Sequence, residues 1–194
     1  MCKQNSGNTI ALIIAQNNCT IDILHYYFTP VGYAIFTKKL GEARQLLEDG
    51  VDVCMSGANN KTPLMIAVEK NDLEAIKLLF EFGADFTMPT ALLEAINLGN
   101  VQIIDFFIKN NVVINRQYQD GTTPLIRALE KGNFDVVKIL VENGADVNFA
   151  NGHFTPLFEA LKLDNCEVAK YLISKGASME AKYLLKFPMS KEIN

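Results

Sequence analysis

The chain of 194 residues is poor in the side chains on which much catalytic and metal-binding chemistry depends, with no tryptophan, two histidines and four cysteines. The cysteines form no CxxC pair and have no metal-ligand spacing, which fits a reducing compartment; they are Cys2, Cys19, Cys54 and Cys166. Neither His25 nor His153 has a nucleophilic or acidic partner at a spacing typical of an enzyme family. No GxGxxG, P-loop or HExxH motif is present. We therefore expect no metal, no cofactor and no enzymatic activity.

Neither the charge nor the apolar segments of the chain favour a polyanion or a membrane as partner. Its 22 Asp and Glu outnumber its 18 Lys and Arg, so we expect no binding to nucleic acid. The longest strongly apolar run, Ile10 to Ala15, is far shorter than the roughly 20 residues of a membrane helix. It is also a poor signal peptide, because only Lys3 precedes it. These features predict a cytoplasmic monomer.

What the chain does contain is a Thr-Pro pair that recurs with a period near 33 residues. The pairs begin at Thr29, Thr62, Thr123 and Thr155, and a degenerate copy begins at Thr90. Threonine caps a helix by accepting a backbone N–H bond, and proline suits the first helical position, so each pair predicts a helix start. A fixed period indicates stacked repeats that share a continuous core. Such a core explains the apolar content of 49% and the positive mean hydropathy of +0.10.

The same pattern follows each threonine. Alanine stands five positions on, at Ala34, Ala67, Ala95, Ala128 and Ala160. Nine and ten positions on, four of the five copies carry Gly, Asn or Asp residues that favour a turn; the exception is Lys38-Lys39. A second, amphipathic helix follows and ends at a residue suited to a left-handed cap, namely Gly50, Gly83, Asn111, Gly144 or Gly176. The sequence therefore predicts five helix-turn-helix units.

These units resemble ankyrin repeats. The likeness rests on Gly-Thr-Thr-Pro-Leu at 121–125 and Asn-Gly-Ala-Asp-Val-Asn at 143–148, with Gly83-Ala84-Asp85 and Gly176-Ala177 in register. The histidine that often follows Thr-Pro-Leu in the family is absent, and its place is taken by Gly32, Met65, Leu93, Ile126 and Phe158. The resemblance implies an all-α solenoid with short β-hairpin fingers between the units. Its five repeats are expected over residues 29–61, 62–89, 90–122, 123–154 and 155–180.

The two ends depart from this register. Residues 1–28 fit it loosely, and we expect two short helices there that form an N-terminal cap. Residues 181–194 resemble the opening of another unit, which makes them either a C-terminal half-repeat or cap, or the remnant of a longer array. The finger before Thr90 is short, because 28 residues separate this threonine from Thr62.

The resemblance implies that fingers and the outward stripe of each first helix form a concave binding face. By offset, the stripe holds Tyr33, Phe36, Thr37, Ile66, Glu69, Lys70, Glu94, Asn97, Leu98, Arg127, Glu130, Lys131, Glu159, Lys162 and Leu163. It carries no patch of a single sign, which favours a protein partner over a polyanion.

Aromatic residues at otherwise exposed positions are the predicted partner contacts, since they bury large areas at little cost in rotamer entropy. Tyr118 and Phe154 stand in fingers, Phe149 at a finger base, and Tyr33 and Phe36 on the stripe. In the alternative interpretation, Phe149 and Phe154 pack against adjacent fingers, and the N-terminal cap covers the other pair.

Glu94, Arg127 and Glu159 occupy the same offset in successive repeats, so they can form a Glu-Arg-Glu ladder. As an exposed structural pairing the ladder would contribute roughly 0 to 1 kcal/mol. Alternatively, Arg127 captures a carboxylate of a partner.

The remaining chemistry-bearing residues have structural interpretations. Cys54 and Cys166 are expected to be small buried groups rather than nucleophiles. Asn115 and Asn148 occupy the position that asparaginyl hydroxylases modify in ankyrin proteins, which the resemblance implies as a possible substrate site.

The sequence predicts a non-catalytic protein-interaction module, an adaptor or scaffold that binds one protein through its fingers and concave face. Two alternatives remain open. One is a stoichiometric inhibitor or immunity-type regulator of an enzyme, and the other is a bacterial effector that is secreted into a host cell.

Overall fold

Ten α-helices joined by tight turns and loops make up the part of the chain that the computed structural model describes, which is residues 28–58, 60–85, 89–149 and 155–179. No strand occurs within these ranges. The chain forms two compact units, Met1–Leu98 and Gly99–Asn194. The first unit contains α1 (Pro30–Phe36), α2 (Leu40–Glu48), α3 (Pro63–Glu69), α4 (Leu73–Glu81) and α5 (Pro89–Leu98). The second contains α6 (Val101–Lys109), α7 (Pro124–Glu130), α8 (Phe134–Glu142), α9 (Pro156–Lys162) and α10 (Cys166–Ser174).

Four of the five first helices begin as the Thr-Pro pairs predict. The hydroxyl oxygens of Thr29, Thr62, Thr123 and Thr155 accept backbone N–H bonds of 3.1–3.3 Å, and proline follows at the first helical position. The prediction is wrong at Thr90. There the helix begins one residue earlier, at Pro89, so that Thr90 lies inside α5 rather than at its cap. Proline sets the start because its fixed φ suits the first helical turn.

Every turn between the paired helices passes through the left-handed region, including the one that the sequence left as an exception. One residue in each turn has a φ of 54–70°, namely Lys38, Asn71, Gly99, Gly132 or Asp164. In four repeats the second helix starts two residues after this position, and the residue between them caps it with an Asp or Asn side chain. These capping residues are Asp72, Asn100, Asn133 and Asn165. Lys39 stands at the same place before α2 and makes no such bond. The predicted left-handed caps after the second helices are confirmed, with φ of 63–93°.

Within each unit the first helices stack on one another and on their own second helices. In the first unit α1 contacts α2 and α3, and α3 contacts α4 and α5; in the second α7 contacts α8 and α9, and α9 contacts α10. The recurrent alanines are all buried and allow this close stacking. Gly32 stands where the family often has histidine, and a Cβ there would lie 2.9 Å from Cδ1 of Ile66, so α1 and α3 approach each other over a missing side chain.

Asparagine side chains tie successive loops together in the second unit. The Asn115 amide donates a hydrogen bond of 2.9 Å to the carbonyl of Gly144 and accepts one of 2.8 Å from the N–H of Asp146. One repeat later, Asn148 makes the same pair of bonds, donating to Gly176 and accepting from Ser178. The two asparagines therefore have a structural role, because each satisfies backbone groups of the following repeat.

Candidate functional site

A polar loop before α7, finger 2 (residues 118–122), is the most organised exposed feature of the second unit. The N–H of Tyr118 donates to the carbonyl of Thr122 at 2.8 Å, and the N–H of Gly121 donates to the carbonyl of Tyr118 at 3.0 Å. Gly121 has a φ of 81°, which a glycine adopts without steric cost. Two hydrogen bonds therefore close the finger as a tight turn at Asp120-Gly121, and not as the β-hairpin that the resemblance implies.

Asp120 holds the tip of finger 2 together. Its Oδ1 accepts hydrogen bonds from the hydroxyl and the N–H of Thr122, at 2.7 and 3.0 Å. These two bonds, with a further contribution from Arg127, hold the pKa of the Asp120 carboxyl below its usual value. The carboxylate is therefore charged at neutral pH and fixed in direction.

Arg127, on α7, joins finger 2 to the helix behind it. Its Nη2 pairs with Oδ2 of Asp120, and its Nη1 lies 2.9 Å from Oε2 of Glu130. The side chain is 23% exposed, and its Nε is buried without a hydrogen-bond partner among the described residues. We call finger 2 together with Arg127 and Glu130 the finger site.

Tyr118 gives the finger site its aromatic surface. The side chain is half-buried, and burial raises the pKa of its phenol to about 12 against the opposing effect of Arg127 and Arg116. The phenol is therefore neutral at physiological pH and presents both an apolar ring and a polar tip.

The predicted ladder is wrong where it falls within the second unit. Arg127 pairs with Asp120 and Glu130 and forms no ion pair with Glu159. Glu159 is only 3% exposed, and Nζ of Lys162 lies 3.1 Å from its Oε1. Glu94, in the first unit, is half-buried and accepts a hydrogen bond of 3.3 Å from the amide of Asn97.

The predicted outward stripe also requires correction at its first offset. Ile66 and Glu159, four residues after their threonines, are 2% and 3% exposed, so neither contributes to an open face. Further along the stripe the side chains do reach solvent, as Leu98 and Leu163 show. At the first offset Tyr33, Glu94 and Arg127 are half-buried, so the exposure of this position differs from repeat to repeat.

In the first unit, Phe36 belongs to an aromatic cluster. Its ring centroid lies 4.7 Å from that of Phe28. Lys70, at the C-terminal end of α3, places its Nζ 3.8 Å from the Phe36 centroid. Phe36 and Tyr33 are both half-buried. Of the N-terminal cap that would cover them, Phe28 is described and packs against Phe36, and residues 1–27 fall outside the described residues.

The other aromatic predictions are located only in part. Phe149 is half-buried, and its N–H donates a long hydrogen bond of 3.4 Å to the carbonyl of Asp146. Phe154, like His25 and His153, lies outside the described residues.

The two described cysteines differ in their surroundings. Cys54 is half-buried, and Cys166 is exposed, so the prediction of a buried group is wrong for Cys166. No three His, Cys, Asp or Glu side chains come together as a metal-binding group in the described ranges. None of the helices described combines the length and the apolar character needed to cross a membrane.

The sequence indicated Tyr118 and Arg127 separately but did not indicate that one network joins them. Two signals could have found it. Asp120-Gly121 fixes the direction of the aspartate, and Glu130 stands three residues after Arg127 on a helix, which is the spacing of a side-chain ion pair.

Comparison with known proteins supports the pattern of repeats. A family model described as ankyrin repeats (3 copies) matches residues 1–90 and 91–183. The chain is 29% identical over 133 residues to alpha-latrotoxin-Lg1a of Latrodectus geometricus, an alignment that covers 64% of this chain and 10% of the toxin. It is 33% identical over 124 residues to FPV240 of fowlpox virus (strain NVSL), which is named as an ankyrin repeat protein, with 61% of this chain and 30% of that protein covered.

A third relative comes from a bacterium. A protein of Rickettsia felis that is also named as an ankyrin repeat protein is 29% identical over 128 residues, covering 63% of this chain and 45% of its own length. The chain thus spans less than half the length of each of these relatives.

Proposed function

The chain belongs to the ankyrin repeat family, and on this basis we propose that it is a non-catalytic module that binds a protein partner, with the finger site as its main contact. One observation carries the proposal. In the finger site, Tyr118 lies close enough to Arg127 for that charge to act on its phenol, and the partly exposed Arg127 side chain is held by Asp120 and Glu130. An aromatic ring beside a fixed, partly exposed arginine suits recognition of another protein.

The finger site has the properties of a contact for another protein. Asp120, Thr122 and Glu130 already fix the Arg127 guanidinium, so a partner that binds it has little side-chain entropy to remove. Tyr118 adds an aromatic ring with a polar tip, a combination enriched in interfaces.

The charges of the site favour a protein over a polyanion. Arg127 carries one positive charge, and the two carboxylates paired with it carry two negative charges, so the cluster as a whole does not attract phosphate. The terminal nitrogens of Arg127 are also engaged within the chain, which makes capture of a partner's carboxylate by this residue the less favourable alternative.

We further propose that the protein works in the cytoplasm as a monomer. The support is the cysteine chemistry: Cys166 is an exposed thiol, a state that a reducing compartment maintains.

The proposal is tested by quantitative affinity purification from the source organism with the wild-type chain and Tyr118→Ala. We expect Tyr118→Ala to lose the specific partner. Phe80→Ala removes an exposed aromatic side chain from α4, on the other unit, and serves as the matched control that should retain it.

A variant with Tyr118, Phe149 and Phe154 all replaced by alanine extends the test to the neighbouring positions. If this variant captures every partner of the wild type in unchanged amounts, the finger site is not the contact. A tight one-to-one complex that abolishes an enzyme's activity would instead favour the inhibitor alternative.

A further inference from the structure

The turns of the fourth and fifth repeats stand apart, whereas those of the third and fourth lie close together. A Cβ on Gly99, in the turn of the third repeat, would lie 2.6 Å from Nδ2 of Asn133 in the next turn. Asn165 holds the place of Asn133 one repeat later. A Cβ on Gly132 would nevertheless meet no described atom beyond its chain neighbours within 4 Å. An open space therefore remains between the last two turns.

This space is an apolar cleft of about 260 Å³ between the fourth and fifth repeats. Its apolar lining consists of Leu129, Phe134, Val137, Ala160, Leu163 and Val168. Four of these side chains are at most 3% exposed and form a packed floor, while Leu163 is 46% exposed and stands at the mouth. We call this opening, with its lining, the turn cleft.

Phe134 does not fill the turn cleft because its ring is engaged elsewhere. The ring packs edge-on against Tyr171 of α10 at a centroid distance of 5.4 Å, and Nζ of Lys138 lies 4.0 Å from its centroid. Rotation of the ring towards the two turns would break both contacts. The cleft is therefore held open.

The charges around the turn cleft are mostly negative. Asp135, Asp164 and Glu167 are exposed, each adjoins a lining residue in the chain, and none has an ion pair within the described part of the chain. Lys131, in the lining, is the cation that opposes these three carboxylates. An apolar group that enters the cleft therefore gains electrostatically if positive charge stands beside it.

We propose that the turn cleft binds a segment of a protein partner that carries one large apolar side chain between basic residues. An apolar cavity of about 150 Å³ holds a benzene molecule, so this larger cleft accommodates a leucine, methionine or phenylalanine side chain. Lysine or arginine on either side of that anchor lies near the carboxylates around the mouth.

The inference rests on the proposed function in taking a protein as the partner, and it adds a contact at the other end of α7 from finger 2. Glu130 lines the turn cleft and pairs with Arg127 of the finger site, so the two contacts adjoin. One partner segment that runs along α7 can therefore reach both.

NMR titration of the full chain with blocked pentapeptides tests the turn cleft by itself. The probe has one phenylalanine with two lysines on each side, and we expect it to shift the amide resonances of Gly132, Leu163 and Asn165. Alanine in place of the phenylalanine should abolish these shifts. Glutamine in place of the lysines should raise the Kd about threefold at low salt.

Leu161 offers a matched control for Leu163. The two side chains are 48% and 46% exposed, and of the two Leu163 lines the cleft. Leu163→Ser should raise the Kd of the probe about fivefold, because it removes an apolar wall of the site. Leu161→Ser should leave the Kd unchanged.

Absence of shifts with the probe overturns the proposal, and so do equal Kd values for the two serine variants or for the lysine and glutamine peptides. Movement of the same amide resonances on dilution of the wild type without peptide would assign the cleft to a second copy and overturns it too. If Leu163→Ser disturbs amides throughout the second unit, Leu163→Ala decides by the same comparison. Since the peptide reports on the cleft and affinity purification with Tyr118→Ala reports on the finger site, failure of one is distinguishable from failure of the other.

Discussion

The loop before α3, finger 1 (residues 57, 58, 60 and 61), has nearly the same backbone as finger 2. In finger 1 the N–H of Gly57 donates to the carbonyl of Lys61 at 3.1 Å, and that of Asn60 donates to the carbonyl of Gly57 at 2.9 Å. Finger 2 makes the same two bonds at 2.8 and 3.0 Å. The fourth finger residue has a left-handed φ in both, 57° at Asn60 and 81° at Gly121.

The side chains on these two backbones differ. Glycine stands in finger 1 where Tyr118 stands in finger 2, and α3 carries the buried Ile66 where α7 carries the half-buried Arg127. In finger 1 an ion pair of 2.7 Å joins Lys61 to Glu69, while finger 2 has a network centred on Arg127. The difference teaches that caps and turns maintain the fold, while a few positions decide what each finger can bind.

The largest expected effect comes from exchanging the two helix residues. Ile66→Arg places a charge at a position that is 2% exposed, and we expect it to cost about 3 kcal/mol of unfolding free energy even with Glu69 in reach. Arg127→Ile at a half-buried position should cost less than about 1 kcal/mol. Denaturant unfolding measures both, with Ile66→Val as the control. Equal costs would contradict the difference in burial between the two positions.

Tyr118→Gly gives finger 2 the residue of finger 1 and should cost about 1 to 2 kcal/mol, because it removes a half-buried ring and adds backbone freedom. Tyr118→Phe keeps the ring and should cost little. Hydrogen exchange reports on the same change locally, through faster exchange of the Tyr118 and Gly121 amides. An unchanged exchange rate in the glycine variant would mean that the ring does not order the finger.

Alkaline pH should weaken finger 2 through ionisation of the Tyr118 phenol. The pKa of Tyr118 is about 12 in the fold and about 10 in an unfolded chain, so its stabilising contribution is present below pH 10 and lost as the pH rises towards 12. The ultraviolet absorbance of phenolate follows the titration. The expected result is a late-titrating tyrosine that Tyr118→Phe removes. A wild type and variant with identical late titration would be inconsistent with the burial of this phenol.

The smallest effect is expected for the ion pairs. Asp120→Asn keeps an acceptor for Thr122 but removes the pairing with Arg127, and because Asp120 is half exposed the loss should be below about 1 kcal/mol. Lys61→Met in finger 1 should cost about as little. Thermal unfolding of the two variants side by side measures this, and a loss several times larger for Asp120→Asn would show that the finger 2 network is strongly cooperative.

Local features were predictable from the sequence, because each depends on one or two residue types. Thr62 caps a helix and Asn71 forms a left-handed turn because of conformational preferences that hold in any context. The alanines are buried because each keeps the same place on the first helix of its repeat. Thr90 was misassigned because Pro89 satisfies the same preference one residue earlier.

Burial at the first offset of the stripe was not predictable. Isoleucine, arginine and glutamate occur there in different repeats, and their exposure depends on the loop and the helix that pack over each one. The network of Arg127 requires the position of Asp120 in space, which the spacing along the chain does not give. Cys166 was misplaced for a similar reason, since its exposure depends on which side chains pack over the start of α10.

The central claim is that the repeats share one frame and that the side chains of the finger site choose the partner. The most direct measurement transfers the finger 1 side chains into finger 2, through Tyr118→Gly, Thr122→Lys and Arg127→Ile in one chain, and compares partner recovery with that of the wild type by quantitative affinity purification. We predict a chain that still unfolds cooperatively but no longer recovers the partner. Recovery of the same partner in the same amount by the folded triple variant would contradict the claim.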